Sequence, residues 1–137
     1  MIYPGHCHCR ATGFRFDTAL PVHAWPIRIC ECGFCRAHGA IYTADPAGRV
    51  AFNVQGGNRP RRYLFASRTA DFLFCENCGV YLGAMTEISG RYFAVLNVNT
   101  MRLADLPRPA HRSFEDESVE QRQERRQRTW TPVVDPL

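Results

Sequence analysis

The sequence predicts a mainly β fold of short antiparallel strands, sandwich-like, with a charged C-terminal helix or arm. Three observations point to it. Short segments carrying apolar residues at every second position recur at close spacing, separated by glycine, proline and polar turns. Seven cysteines fall in three tight groups, Cys7/Cys9, Cys30/Cys32/Cys35 and Cys75/Cys78, the density expected where metal helps hold short strands together. After residue 112 the chain becomes highly charged and loses the strand pattern.

Residues 11–17 alternate Phe14 and Phe16 with polar neighbours, as a half-buried strand does. Residues 49–54 place Val50, Phe52 and Val54 at the same spacing, and Gly56-Gly57 then marks a turn. Residues 62–65, 71–74, 80–84 and 92–98 are rich in aromatic or branched side chains and predict further strands. Residues 101–106 predict a single turn, whose continuation Pro107 and Pro109 block. Residues 113–128 predict an exposed helix. Its acidic start (Glu115, Asp116, Glu117) and basic end (Arg125, Arg126, Arg128) suit the helix macrodipole, with Trp130 and Val133 as anchors. The expected organisation is a β domain over residues 1–110 and a charged segment over 111–137, packed on the domain or extending from it.

Composition narrows the function classes. A chain of 137 residues, 45% hydrophobic and 22% charged, suits one soluble domain with a modest core. No apolar run approaches the roughly 20 residues that span a bilayer, and MIYPGHCHCR does not read as a secretory leader. A cytoplasmic location is expected, with no membrane partner. Reducing compartments disfavour structural disulfides, and an odd number of cysteines cannot pair off within one chain, so metal binding leads. The formal charge of +4 overstates the basic character: seven thiolates and two Zn²⁺ would bring it to about +1. Nucleic acid is therefore not an expected partner. Oligomeric state is left open, a homo-oligomer being compatible with the sequence.

The cysteine spacings define the candidate sites. C-x-x-C at Cys75/Cys78, followed by Gly79, suits a knuckle that presents two sulfurs from one turn. Cys7 and Cys9 would share one face of an extended strand. Cys30, Cys32 and Cys35 combine both spacings and converge without a distant residue. The division is four sulfurs plus three: four close the shell of a structural zinc, and three leave a position open for chemistry. Spacing alone also allows Cys30/Cys32 to join Cys75/Cys78, and His6, His8 or His38 to serve as ligands. Iron–sulfur chemistry is disfavoured because the spacings match no common ferredoxin run.

Four segments carry a family resemblance: GHCHCRATGFRF (5–16), CECGFCRAHGA (30–40), FCENCGVYLG (74–83) and VLNVNTM (95–101). Over about residues 3–106 the chain resembles the glutathione-dependent formaldehyde-activating enzymes, which include centromere-protein-V-like domains. The resemblance implies a β-tent fold, shared with a small Rab exchange factor. It implies two zinc ions per chain, a structural one on Cys7, Cys9, Cys75 and Cys78 and a more labile catalytic one on Cys30, Cys32 and Cys35. It further implies a carbon–sulfur lyase-type reaction joining glutathione, or another small thiol, to formaldehyde or a related aldehyde to give S-hydroxymethylglutathione. Arg36 and His38 are the candidate substrate contacts, with Arg59, Arg61 and Arg62 as further cationic candidates. The alternatives are a non-enzymatic zinc-stabilised binding module or glutathione carrier, and a thiol redox sensor.

Overall fold

The structure, a computed structural model, describes residues 1–136. Its strands are β1 (Ile2–His6), β2 (Thr12–Asp17), β3 (Arg28–Cys30), β4 (Tyr42–Thr43), β5 (Arg49–Val54), β6 (Arg61–Tyr63), β7 (Asp71–Phe74), β8 (Tyr81–Ile88), β9 (Arg91–Asn97), β10 (Ala110–Arg112) and β11 (Thr131–Asp135). Two α-helices, α1 (Gly33–His38) and α2 (Val119–Thr129), and two short 3₁₀ turns, Val22–Ala24 and Val98–Thr100, complete the regular structure of the described residues. Pairing is antiparallel except for β3/β10 and β5/β11. The mainly β expectation holds.

Strand β9 organises the rest. Its run Phe93-Ala94-Val95-Leu96 is buried throughout, as expected of a strand covered on both faces. Ala94 and Leu96 join a core with Phe14, Phe16, Val50, Phe52, Leu73 and Leu82. Phe93 and Val95 join a second core with Tyr42, Tyr81, Ala84 and Trp130. One edge of β9 pairs with β8; the other pairs with β11 and then with β4. Each cysteine group belongs to a different core: Cys7 and Cys75 to the first, Cys35 to the second.

Several boundaries differ from the sequence expectation. The C-terminal helix starts at Val119, not near residue 113, because Ser118 caps it: the Ser118 hydroxyl accepts from Gln121 N–H and the Gln121 side chain accepts from Ser118 N–H. That reciprocal capping box fixes the first turn. Beyond α2 the chain forms β11, which bridges β5 and β9 and buries Trp130 and Thr131. The turn expected over 101–106 is preceded by a short 3₁₀ turn at Val98–Thr100, capped by the Asn97 side chain accepting from Asn99 N–H. At the other end, β1 lies outside the segments that the sequence pattern marked as strands, and it contains Pro4 and Gly5. It survives as an edge strand, where proline's missing N–H costs little.

Gly5 has a packing reason. It lies opposite Phe14 in the β1/β2 register, and a Cβ there would run into the Phe14 ring. Gly5→Ala is expected to destabilise the protein by about 1–3 kcal/mol through overpacking, read as a lowered thermal midpoint. An unchanged midpoint would show that β1 has room to shift.

Candidate metal centres and active site

Two related turns build the four-cysteine cluster. Cys7 follows β1, its N–H donating to the Thr12 carbonyl (2.9 Å) while Arg10 N–H donates to the Cys7 carbonyl (3.3 Å). Cys75 follows β7, its N–H donating to the Val80 carbonyl (3.0 Å) while Gly79 N–H donates to the Cys75 carbonyl (2.9 Å). Gly79 and Arg10 both take left-handed backbone, φ +80° and +68°. Cys7 and Cys9 therefore converge through a turn, which corrects the extended-strand expectation: β1 ends at His6 because the chain must reverse into β2.

The Sγ atoms of Cys7, Cys9, Cys75 and Cys78 all lie within 4.8 Å of one another. Cys7–Cys9 and Cys9–Cys75 are each 3.6 Å apart, close to the roughly 3.8 Å tetrahedral edge that a Zn–S distance of about 2.3 Å requires. Backbone N–H groups point at the sulfurs, from Thr12 to Cys7 and from Asn77 and Cys78 to Cys75, each at 3.4 Å. Burial pushes the Cys7 thiol up, but hydrogen bonding from Thr12, Cys75 and Cys9 outweighs it and holds the thiol at about 6. At Cys75 burial is likewise outweighed, by backbone N–H bonds from Cys78 and Asn77, and the thiol is lowered, while Cys9 is raised, so the fold favours thiolate at Cys7 and Cys75 of the four positions.

The three-cysteine cluster grows from a strand end and a helix start. Cys30 closes β3, and Cys32 is the N-cap of α1, its Sγ accepting from Cys35 N–H at 3.4 Å. Cys35 occupies the first turn. These three sulfurs also lie within 4.8 Å of one another, and among the described residues no histidine or carboxylate joins either cluster. Hydrogen bonding from Cys35 lowers Cys30 to about 6, and the Arg125 charge helps; Cys35 is correspondingly pushed up. The buried Tyr42 hydroxyl lies 3.0 Å from Cys35 Sγ and 2.8 Å from the Tyr81 hydroxyl. Desolvation raises the pKa of both tyrosines, so Tyr42 stays a neutral hydrogen-bond partner for Cys35.

Such outer partners orient metal ligands and are typically worth 10–100-fold in metal affinity. Tyr42→Phe is expected to leave the fold intact and to weaken retention of any metal at this cluster about tenfold in chelator competition. Equal retention by both proteins would remove Tyr42 from the site.

The three sulfurs open onto a cavity of about 340 Å³. Phe65, Phe72 and Tyr42 line its walls, and Trp130 with Phe114 closes it from the C-terminal segment. Four arginines line it: Arg28 from β3, and Arg122, Arg125 and Arg126 from α2. Glu117 engages Arg125 through two bonds (2.7 and 3.1 Å) and approaches Arg122 at 3.6 Å. In sequence, the basic end of α2 signalled only helix polarity; docking of the helix turns it toward the cysteines.

The arginines and histidines singled out from sequence lie elsewhere. Arg36 faces a separate groove with Cys35, Glu31 and His111. His38 packs on Phe34, Phe74 and Tyr81 at ring separations of 4.7, 5.3 and 5.5 Å. His6 Nδ1 lies 2.9 Å from the Cys7 carbonyl oxygen instead of turning toward the sulfurs. Arg61 and Arg62 belong to β6, where Arg62 pairs with Asp71 at 2.7 Å, and the Arg59 N–H donates to Glu76. None of these six residues lines the cysteine cavity.

A crystal structure of a Rhodobacter sphaeroides protein resembles this chain with a TM-score of 0.57 and 27% identity, over 78% of this chain and 99% of that one. No described helix is long and apolar enough to cross a membrane. The family model for the glutathione-dependent formaldehyde-activating enzyme matches residues 2–117, a span that takes in both cysteine clusters and β3, α1 and β4 around the open one. With both cysteine clusters assembled inside that match, the chain belongs to the glutathione-dependent formaldehyde-activating enzyme family.

Proposed function

We propose that the protein is a zinc-dependent carbon–sulfur lyase-type enzyme that equilibrates a small thiol and an aldehyde with their adduct, glutathione and formaldehyde being the family pair. The observation that carries this reading is the cluster of three sulfurs, joined by no His, Asp, Glu or further Cys among the described residues, facing a cavity lined by four arginines. Cys7, Cys9, Cys75 and Cys78 would hold a structural zinc, and Cys30, Cys32 and Cys35 a second one. Bound there, zinc supplies a Lewis-acid position at which a substrate thiol ionises near neutral pH.

The chain's own residues do the rest. In the forward direction the substrate sulfur loses its proton and forms a bond to the carbonyl carbon, while the carbonyl oxygen gains a proton and becomes a hydroxyl. Tyr42 holds Cys35 in place and does not titrate. Arg28, Arg122, Arg125 and Arg126 draw an anionic substrate into the cavity, while Phe65, Phe72 and Trp130 limit the water around the reacting atoms. Arg36 and His38 face away from this cavity, so we place the substrate contacts on the four lining arginines instead.

Exchange NMR on glutathione–formaldehyde mixtures tests the reading, together with metal analysis. The expected result is two zinc ions per chain and interconversion faster than the uncatalysed rate. Acceleration absent across several thiols and aldehydes would overturn the enzymatic reading, and tight glutathione binding without acceleration would identify a carrier.

A further inference from the structure

The cavity beside the three sulfurs has one side without charge. Strands β7, β8 and β9 contribute only Phe72, Ala84 and Val95 to its lining, while its four arginines come from β3 and α2. Phe72, Ala84 and Val95 are register partners across the three strands, so they form one row on the same face of the sheet. The centre of the row is its smallest residue, which leaves a hollow between a phenyl ring and an isopropyl group. Phe65, Phe114 and Trp130 also line the cavity. The sulfurs belong to the same apolar assembly: Cys35 is buried in one cluster with Ala70, Ala84, Val95 and Trp130, and Cys30 and Cys32 pack against it.

An engineered protein cavity of about 150 Å³ lined by Leu, Ile and Phe stays dry and binds benzene. At about 340 Å³, this cavity has room for a ring-sized group beside a thiol. Taking such a group out of water is worth about fourfold in affinity for each buried methylene. Formaldehyde carries only hydrogens on its carbonyl carbon and gains nothing from an apolar wall. Glutathione is polar along its length and suits the arginine side, which leaves the apolar side to the other reactant.

We propose that the carbonyl component is an aldehyde bearing an apolar group, up to the size of a phenyl ring, and that the row of Phe72, Ala84 and Val95 seats this group while the carbonyl carbon faces Cys30, Cys32 and Cys35. The inference rests on reading this cavity as the place where thiol and carbonyl meet, and it narrows the aldehyde, leaving the reaction as it was. The thiol sulfur bonds to the carbonyl carbon, the C=O π pair moves to oxygen, and the sulfur's proton ends there, with no oxidant or reductant required. Ala84 and Val95 thereby set which aldehyde fits.

Two measurements on the metal-loaded protein test it. Exchange NMR with glutathione compares formaldehyde, butanal and phenylacetaldehyde, each acceleration taken relative to its own uncatalysed rate. An NMR titration with benzyl alcohol and with glycerol, which do not react, reads the pocket without turnover. Butanal and phenylacetaldehyde are expected to be accelerated about tenfold or more beyond formaldehyde, and benzyl alcohol to bind more tightly than glycerol by about the same factor. Ala84→Val fills the hollow and is expected to lower the ratio of phenylacetaldehyde to formaldehyde acceleration about tenfold. Val95→Ala deepens the hollow and is expected to raise that ratio, and a general loss of stability does not produce such opposite shifts. Equal acceleration of the three aldehydes overturns the proposal, as does a ratio that ignores both substitutions. Selectivity between phenylmethanethiol and 2-mercaptoethanol that is absent among the aldehydes places the wall against the thiol and overturns it too. Failure of the reaction itself reads differently: no aldehyde is accelerated, yet benzyl alcohol binds and Ala84→Val weakens its binding.

Discussion

Cys78→Ser is expected to yield an unfolded chain that retains no stoichiometric zinc. Cys7 and Cys75 are 0% and 1% exposed and form part of the core around Phe14, Leu73 and Leu82, so the four-sulfur cluster is built into the packing. It also ties the turn after β1 to the turn after β7, with Cys9 and Cys75 separated by 66 positions. Without metal, Cys7, Cys75 and Cys9 would be left as crowded thiols, one of them held near 6 and thus largely ionised. Structural zinc contributes on the order of 10 kcal/mol of binding-coupled folding energy, against a total domain stability of about 5–15 kcal/mol. No other single contact here approaches that margin. Cys78 is the informative position because it is only half-buried, so its loss reports on the metal more than on a cavity. Far-UV circular dichroism and metal analysis check the result. A cooperative melt near the wild-type midpoint would show that β1–β2 and β7–β8 hold together without the cluster.

What the sequence made legible follows physical range. The Cys30/Cys32/Cys35 grouping and strand 71–74 depend on spacing within a few residues and appear in the structure as expected, whereas the joining of Cys7/Cys9 to Cys75/Cys78, 66 positions apart at Cys9 and Cys75, is implied by the family resemblance and left open by spacing. Strand β11 was missed because Thr-Pro-Val-Val-Asp has little strand signal of its own. It is stabilised by pairing with β5 and β9, partners more than thirty positions away. The start of α2 was legible and overlooked, since Ser118-x-x-Gln121 is a capping box in the sequence itself. The arginines of the cavity were a different matter. Arg122, Arg125 and Arg126 are one basic face among several until α2 docks through Thr69, Ser67 and Thr86. Nearness in sequence to Cys35 suggested Arg36 and His38 instead, yet a short helix sends successive side chains to different sides, and these two leave the cavity.

Cys32→Ser is expected to give a folded protein with one zinc per chain and no detectable acceleration of adduct exchange. Local structure explains why the fold should survive. Cys32 is the N-cap of α1, where its sulfur accepts the Cys35 N–H at 3.4 Å, and serine is a stronger N-cap than cysteine. The helix start is therefore kept, while a soft thiolate is replaced by a hydroxyl that stays protonated and binds zinc poorly. Two sulfurs, Cys30 and Cys35, then remain at a site that had three, too few to retain zinc tightly. The core behind the site does not depend on this metal, because Tyr42, Tyr81, Phe93 and Trp130 pack on one another directly. Metal analysis should read one equivalent in place of two, the thermal midpoint should stay within a few degrees of wild type, and exchange NMR should return the uncatalysed rate. If Cys32→Ser unfolds as Cys78→Ser does, both clusters are structural and the open site has no separate role. If it loses the second zinc and still accelerates exchange, the reaction runs without the metal and the cavity arginines carry it.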